Sequence, residues 1–131
     1  MEIKQTYSNY SIAIADDAHF IRFLVKKHLR ELNFGEVFEA ESGRELMEIY
    51  RREEPALVIM DIIMHEWNGL RTLDVLKSEY PEARVIILSA VDVPDILQEC
   101  IDQGISDFIV KPFQRDTLLT SVIQAMNPGG P

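Results

Sequence analysis

Cysteine is almost absent from this chain: Cys100 is the only one in 131 residues. A single thiol closes no internal disulfide, so the fold must rest on its core, and a reducing compartment suits it. Long apolar runs are missing too. The longest, such as Ala56–Met60 and Val85–Leu88, have the length of strands and fall far short of the ~20 residues a membrane helix needs. The opening MEIKQTYSNYS has no apolar stretch of the signal-peptide kind, so the cytoplasm is the default expectation. Basic residues are scarce, with 13 Lys and Arg against 22 Asp and Glu, a net charge of −9 and a pI of about 4.7. That balance argues against direct binding of nucleic acid or anionic membranes. It favours a basic protein partner, or a site that gathers carboxylates.

What is present is a strand-like apolar run followed by an amphipathic run, five times over. The strand candidates are Ser11–Ala15, Glu36–Ala40, Ala56–Met60, Arg84–Leu88 and Asp107–Val110. The helix candidates are Ala18–Leu32, Gly43–Glu53, Gly69–Tyr80, Pro94–Gln103 and Arg115–Met126. The third and fourth strands are unbroken Val/Ile-rich runs, as when both faces are covered. In the first helix Ile21, Leu24, Val25, His28, Leu29 and Leu32 form one stripe, which puts His28 at the core edge. Asn33 and Gly104 stand where left-handed caps are wanted, and Pro94 suits a helix start. Strict alternation predicts an α/β fold, a doubly wound parallel sheet covered on both faces. No linker or low-complexity tract divides the chain, so residues 1–131 read as one domain with a core over 11–126 and loose ends at 1–10 and 127–131.

The chemistry collects at the carboxyl ends of the strands. The first runs into Asp16–Asp17, the third into Asp61, the fourth into Ser89 and the fifth into Lys111. Parallel strands share that edge, and ligands bind in the crevice there. Three carboxylates close together repel unless a cation sits among them. Mg²⁺ suits, being held by one or two carboxylates, waters and phosphate oxygens. With that charge offset, a carboxylate can attack a phosphoryl group and form an aspartyl phosphate, with Lys111 stabilising the equatorial oxygens. Each residue alone has a plainer reading: Asp16–Asp17 as a helix cap, Asp61 and Ser89 as strand-end residues, Lys111 as a surface charge. Phe108 is plain core or something more. His19 and His65 fall near the site edge but lack partners at zinc-ligand spacing, so no zinc site is expected. Cys100 shares a helical face with Ile96, Leu97 and Ile101 and reads as buried filler. Trp67 is either a partner contact or a packing plug.

The stretches IAIADDAHF, VIMDIIMHEWNGL, VIILSAVD and GISDFIVKPF make the chain resemble a response-regulator receiver domain over Ser11–Met126, closest to single-domain chemotaxis-type regulators. The resemblance implies a flavodoxin-like (βα)₅ fold with strand order 2-1-3-4-5. It implies that Asp61 accepts a phosphoryl group from a histidine kinase or phosphotransfer protein of a two-component phosphorelay. Asp17 would coordinate Mg²⁺ directly, Asp16 through water, and the Ile63 backbone carbonyl would be a further ligand. Lys111 would pair with the phosphoryl group, Ser89 would be the switch hydroxyl and Phe108 the aromatic whose rotamer follows. The Lys111–Pro112 bond would be cis. Output would pass through the fourth helix, fifth strand and fifth helix, roughly Pro94–Met126, to a downstream protein target. Neither nucleic acid nor membrane is expected to bind this chain, and it would be a monomer or a phosphorylation-dependent dimer. It would catalyse only its own phosphorylation and dephosphorylation.

Three positions depart from the family's habit. His65-Glu66-Trp67-Asn68-Gly69 replaces the commoner Pro-x-Met-Asp-Gly, and Ser89 stands for the commoner Thr. Ile63, two past Asp61, and Val91, two past Ser89, are apolar; they are expected to shield the acyl phosphate and prolong its life. A Mg²⁺-dependent phosphatase with an aspartyl nucleophile is the alternative of another class, but it needs an acid where Ile63 stands. A flavin-binding module needs a phosphate-cradling loop where Asp16–Asp17 would repel phosphate. With no DNA-binding segment after the fifth helix, a complete single-domain regulator and a receiver excised from a larger transcription factor or enzyme both fit.

Overall fold

In the computed structural model, residues 3, 6–90 and 93–127 are described. The strands are β1 (Ser11–Ala15), β2 (Glu36–Ala40), β3 (Leu57–Asp61), β4 (Val85–Ser89) and β5 (Asp107–Val110). The helices are α1 (His19–Leu29), α2 (Gly43–Glu53), α3 (Gly69–Glu79), α4 (Pro94–Asp102) and α5 (Arg115–Met126). All strand pairs are parallel in the order β2-β1-β3-β4-β5, the doubly wound arrangement the alternation implies. Among the described residues no helix is long and apolar enough to cross a membrane.

The period-two alternation of a strand sorts its side chains between two cores. Ile12, Ile14, Leu57, Ile59, Ile86 and Leu88 point to the face covered by α1 and α5. Ala13, Ala15, Val58, Met60, Val85 and Ile87 point to the face covered by α2, α3 and α4, where Cys100 is also buried. Each face is continuous, which is why β3 and β4 read as unbroken apolar runs.

β3 and β4 each run one residue further than their apolar runs suggest, because the ladder continues through Asp61↔Leu88 and Ser89↔Val110. Asp61 and Ser89 are therefore strand residues with fixed directions. The first helix is shorter than Ala18–Leu32: α1 ends at Leu29 and a 3₁₀ turn, Arg30–Leu32, closes on left-handed Asn33 at φ 53°. Its buried stripe is also rotated. Arg22, Val25, Leu29 and Leu32 are buried, whereas Ile21, Leu24 and His28 are half-buried.

The loose end expected at 1–10 is held down at Tyr7, which is only 6% exposed. Its N–H donates to the Leu32 carbonyl at 2.9 Å, its ring stacks on Phe34, and its hydroxyl accepts from Asn127 Nδ2 at 2.8 Å. One large aromatic ring anchors a segment that has no periodicity to reveal it. The expected loose end at 127–131 is likewise tied at Asn127; residues 128–131 lie outside the described residues.

Candidate functional site

The rim formed by the carboxyl ends of the strands brings the expected acids together. One ligand oxygen from each of Asp16, Asp17 and Asp61 lies within 4.8 Å of the others. Asp16 and Asp61 are buried and Asp17 is exposed. Lys111, the first residue past β5, closes the cluster. Its Nζ donates to Asp16 Oδ2 at 2.7 Å and to Asp61 Oδ2 at 2.9 Å. Its backbone N–H donates to the Ser89 carbonyl at 2.8 Å, and the Lys111–Pro112 bond is cis as expected.

Asp16 is held at every polar atom. Its N–H donates to the Ala40 carbonyl, Oδ1 accepts from Ala18 N–H at 2.8 Å, Oδ2 accepts from Lys111, and its carbonyl accepts from Arg22 Nη1 at 2.6 Å. By capping Ala18 N–H it also organises the start of α1, where Ala18 has no side chain able to do so. Asp61 Oδ1 accepts from the Ile63 N–H at 3.2 Å. Burial pushes the Asp61 carboxyl above its ordinary range, against the pull of Lys111 and the Ile63 N–H, and Asp16 adds to the rise. Burial alone would lower the Lys111 ammonium, but hydrogen bonds and charge from Asp16 and Asp61 outweigh it and hold the group above its ordinary value.

Three carboxylates facing one ammonium leave the rim short of positive charge. The donor set is all oxygen, compact and partly open at Asp17, which fits a small hard divalent cation. Asp17 is the acid of the cluster with an uncommitted outer edge: among the described residues its carboxylate meets only His65 Nε2, at 3.5 Å. No sequence spacing points to that contact.

Ser89 is fully buried, one residue past Leu88, the partner of Asp61 in the ladder. Phe108 is half-buried against the core under α2–α4. Ile63 is 56% exposed beside the acids, and Val91 lies outside the described residues. Trp67 packs against the same core, with the Arg71 guanidinium 4.5 Å from its ring centroid, which makes it a plug for the loop. Glu66 and Trp67 both take left-handed backbone, φ 44° and 72°. The Arg44 N–H to the Glu66 carbonyl (3.2 Å) and Thr72 Oγ1 to the Trp67 carbonyl (3.3 Å) support them, in place of the proline this loop lacks.

Arg22 is the site residue that sequence reasoning misses. The signal is present: Arg22, Val25, Leu29 and Leu32 follow helical spacing, so an arginine occupies a core position of α1.

The response regulator receiver domain profile matches residues 12–123. The chemotaxis protein CheY of Bacillus subtilis is 39% identical over 118 residues, covering 90% of this chain and 98% of that one. CheY of Thermotoga maritima is 36% identical, covering 88% and 93%. Among solved structures, the CheX-CheY-BeF3-Mg+2 complex from Borrelia burgdorferi matches with a TM-score of 0.84 at 26% identity, over 88% of this chain and 87% of that one. The receiver domain of NarL from Mycobacterium tuberculosis shares the fold, with a TM-score of 0.84 at 22% identity over 95% and 99%. With its parallel sheet in the 2-1-3-4-5 order and its acids and lysine on the carboxyl rim, this chain belongs to the response regulator receiver domain family.

Proposed function

We propose that the protein is a phosphorylation-activated switch of a two-component system in which Asp61 is the phosphoacceptor. The observation that carries this is Lys111 Nζ, just past β5, bridging Asp61 on β3 and Asp16 just past β1, two and three strand boundaries away, inside a three-carboxylate cluster. An Asp61 oxygen attacks the phosphorus of a phosphohistidine on a histidine kinase or phosphotransfer protein. The P–N bond breaks, its electron pair stays on the imidazole, and a phosphoaspartate forms. Lys111 turns from the carboxylates toward the new phosphoryl oxygens, and Ser89 supplies a hydroxyl to them. Water later cleaves the acyl phosphate and regenerates Asp61, so the chain turns over only its own phosphoryl group.

Asp17 directly, Asp16 through water, Asp61 and the Ile63 carbonyl are the groups that would hold Mg²⁺. Bound there, the ion offsets the carboxylate charge and orients the phosphoryl oxygens. The related CheY from Borrelia was solved together with BeF3 and Mg+2, which supports the same choice here.

Output then follows from population shift. Contacts of Ser89 and Lys111 with the phosphoryl group favour one of two arrangements, read at α4, β5 and α5 with Phe108 following. That surface carries exposed Ile101 and Val110 for a protein target. A phosphatase acting on other substrates is disfavoured because Ile63 offers no general acid.

Incubation with acetyl phosphate and Mg²⁺ should add one phosphoryl mass, mapped to Asp61. A label that persists in Asp61→Asn, or none in the wild type, would overturn the assignment.

A further inference from the structure

The acids of the rim are presented by backbone, and one buried side chain grips that backbone. Arg22 is 6% exposed. Its Nη1 donates to the Asp16 carbonyl at 2.6 Å, its Nε to Glu39 Oε1 at 3.1 Å, and its Nη2 reaches Glu41 Oε1 at 3.6 Å and His19 Nδ1 at 3.3 Å. Burying a guanidinium is costly unless its hydrogens are answered. Its carboxylate partners, Glu39 and Glu41, lie toward solvent, with side chains 33% and 73% exposed. The innermost and shortest contact is the Asp16 carbonyl.

That oxygen belongs to the peptide unit joining Asp16 to Asp17. The unit is planar, so gripping its oxygen sets the plane and places the Asp17 Cα. The other side of Asp16 is held by its N–H to the Ala40 carbonyl, and Glu39 and Glu41 flank Ala40. Arg22 therefore ties the turn after β1 to both neighbours of its β2 partner. Asp17 needs such a device, since among the described residues its own carboxylate has only the 3.5 Å approach of His65 to orient it.

We propose that Arg22 is the positioning residue for cation binding at this rim. It acts as a fork that aims Asp17 through the 16–17 peptide, and the inference rests on the receiver reading of the acid cluster. A planar fork with several aimed donors does this; an ammonium does not reproduce it.

The test uses the full chain with MgCl₂ alone, by calorimetry, on wild type, Arg22→Lys, Arg22→Gln and Glu39→Gln. Outer partners of metal ligands typically govern affinity by tenfold or more, so both Arg22 variants should bind Mg²⁺ about tenfold more weakly. In acetyl phosphate labelling, the Mg²⁺ concentration giving half-maximal rate should rise by about the same factor, while the rate at saturating Mg²⁺ stays within about twofold. A merely structural arginine would lower the urea midpoint and leave Mg²⁺ affinity alone; that result in either folded variant overturns the proposal. Glu39→Gln keeps Arg22 and loosens its outer anchor, together with the pair that Lys26 Nζ makes to Glu39 Oε2 at 3.0 Å, so it remains readable if both Arg22 variants unfold. It should weaken Mg²⁺ binding by about threefold, and unchanged affinity there also overturns the proposal. A wild type that binds no Mg²⁺ removes the cation-site reading of the acid cluster and this inference with it, whereas wild-type binding with unaltered variants removes the inference alone.

Discussion

Replacing the proposed phosphoacceptor Asp61 by asparagine is expected to make the metal-free protein more stable. Asp61 is 7% exposed and faces two carboxylates whose ligand oxygens lie within 4.8 Å and one ammonium at 2.9 Å. At an effective dielectric of about 20, each repulsion amounts to at least ~3.5 kcal/mol and the attraction to ~5.7 kcal/mol. The two repulsions exceed the attraction by about 1 kcal/mol, and desolvation of the carboxylate adds to the imbalance. Asparagine keeps the shape and an oxygen for Lys111 while losing the charge. Urea unfolding in EDTA at pH 7 should show a gain of about 1–3 kcal/mol, a midpoint shift of roughly 0.5–1.5 M at an unchanged slope of about 2 kcal/mol per M. The pH dependence carries its own sign. Because the folded carboxyl is raised above the ordinary 3.8, the native state holds the proton more tightly than the unfolded chain. Wild-type stability from this group therefore falls as pH rises from about 3.8 through the folded value, and the gap to the variant is widest at neutral pH. Mg²⁺ should close the gap by stabilising the wild type through binding. A variant equally or less stable than wild type in EDTA would refute the charge argument, as would a gap indifferent to Mg²⁺.

Three further outcomes are expected. Ile63→Asn should speed autodephosphorylation by roughly tenfold, because a polar side chain at the rim can position the attacking water; equal or slower loss of phosphate would discard the shielding role. Gly69→Ala should destabilise by about 3 kcal/mol, since its Cβ would stand 2.4 Å from Ile62 Cα and 2.6 Å from the Asp61 carbonyl oxygen. Gly104→Ala meets only the end of Lys77 at 3.8 Å and should lose about 1 kcal/mol to its φ of +82°; a reversed order in urea midpoints would contradict the packing. Cys100 is buried with its thiol pushed up, by burial first and by Glu99 second. A disulfide reagent at pH 8 should therefore react at least about 100-fold more slowly with native than with urea-unfolded protein; fast native labelling would place the thiol outside the core.

Legibility in the sequence differs from residue to residue. Asp16, Asp17, Asp61, Ser89 and Lys111 can be grouped because each follows a strand-like run, and parallel strands with helical crossovers share one carboxyl edge. Pro94, Asn33 and Gly104 are readable as a helix start and caps because their backbone needs are local. The α1 stripe reads one position off, since hydropathy steers the reading away from an arginine that the fold has buried. Tyr7 looks like lead-in because a single ring has no period. His65 matches no metal spacing, and the chain's path from β3 to α3 alone brings it to Asp17.

By itself, the sequence determined the layer order, the sheet direction and the edge at which the acids gather. These follow from alternation and periodicity, which are short-range properties of the chain. Only the tertiary structure decided how the rim is wired. Lys111 meets residues 95 and 50 positions away, and Arg22 meets the Asp16 carbonyl and Glu39 at once. Such contacts depend on where whole elements pack, and no local pattern encodes the distance between two atoms on different strands.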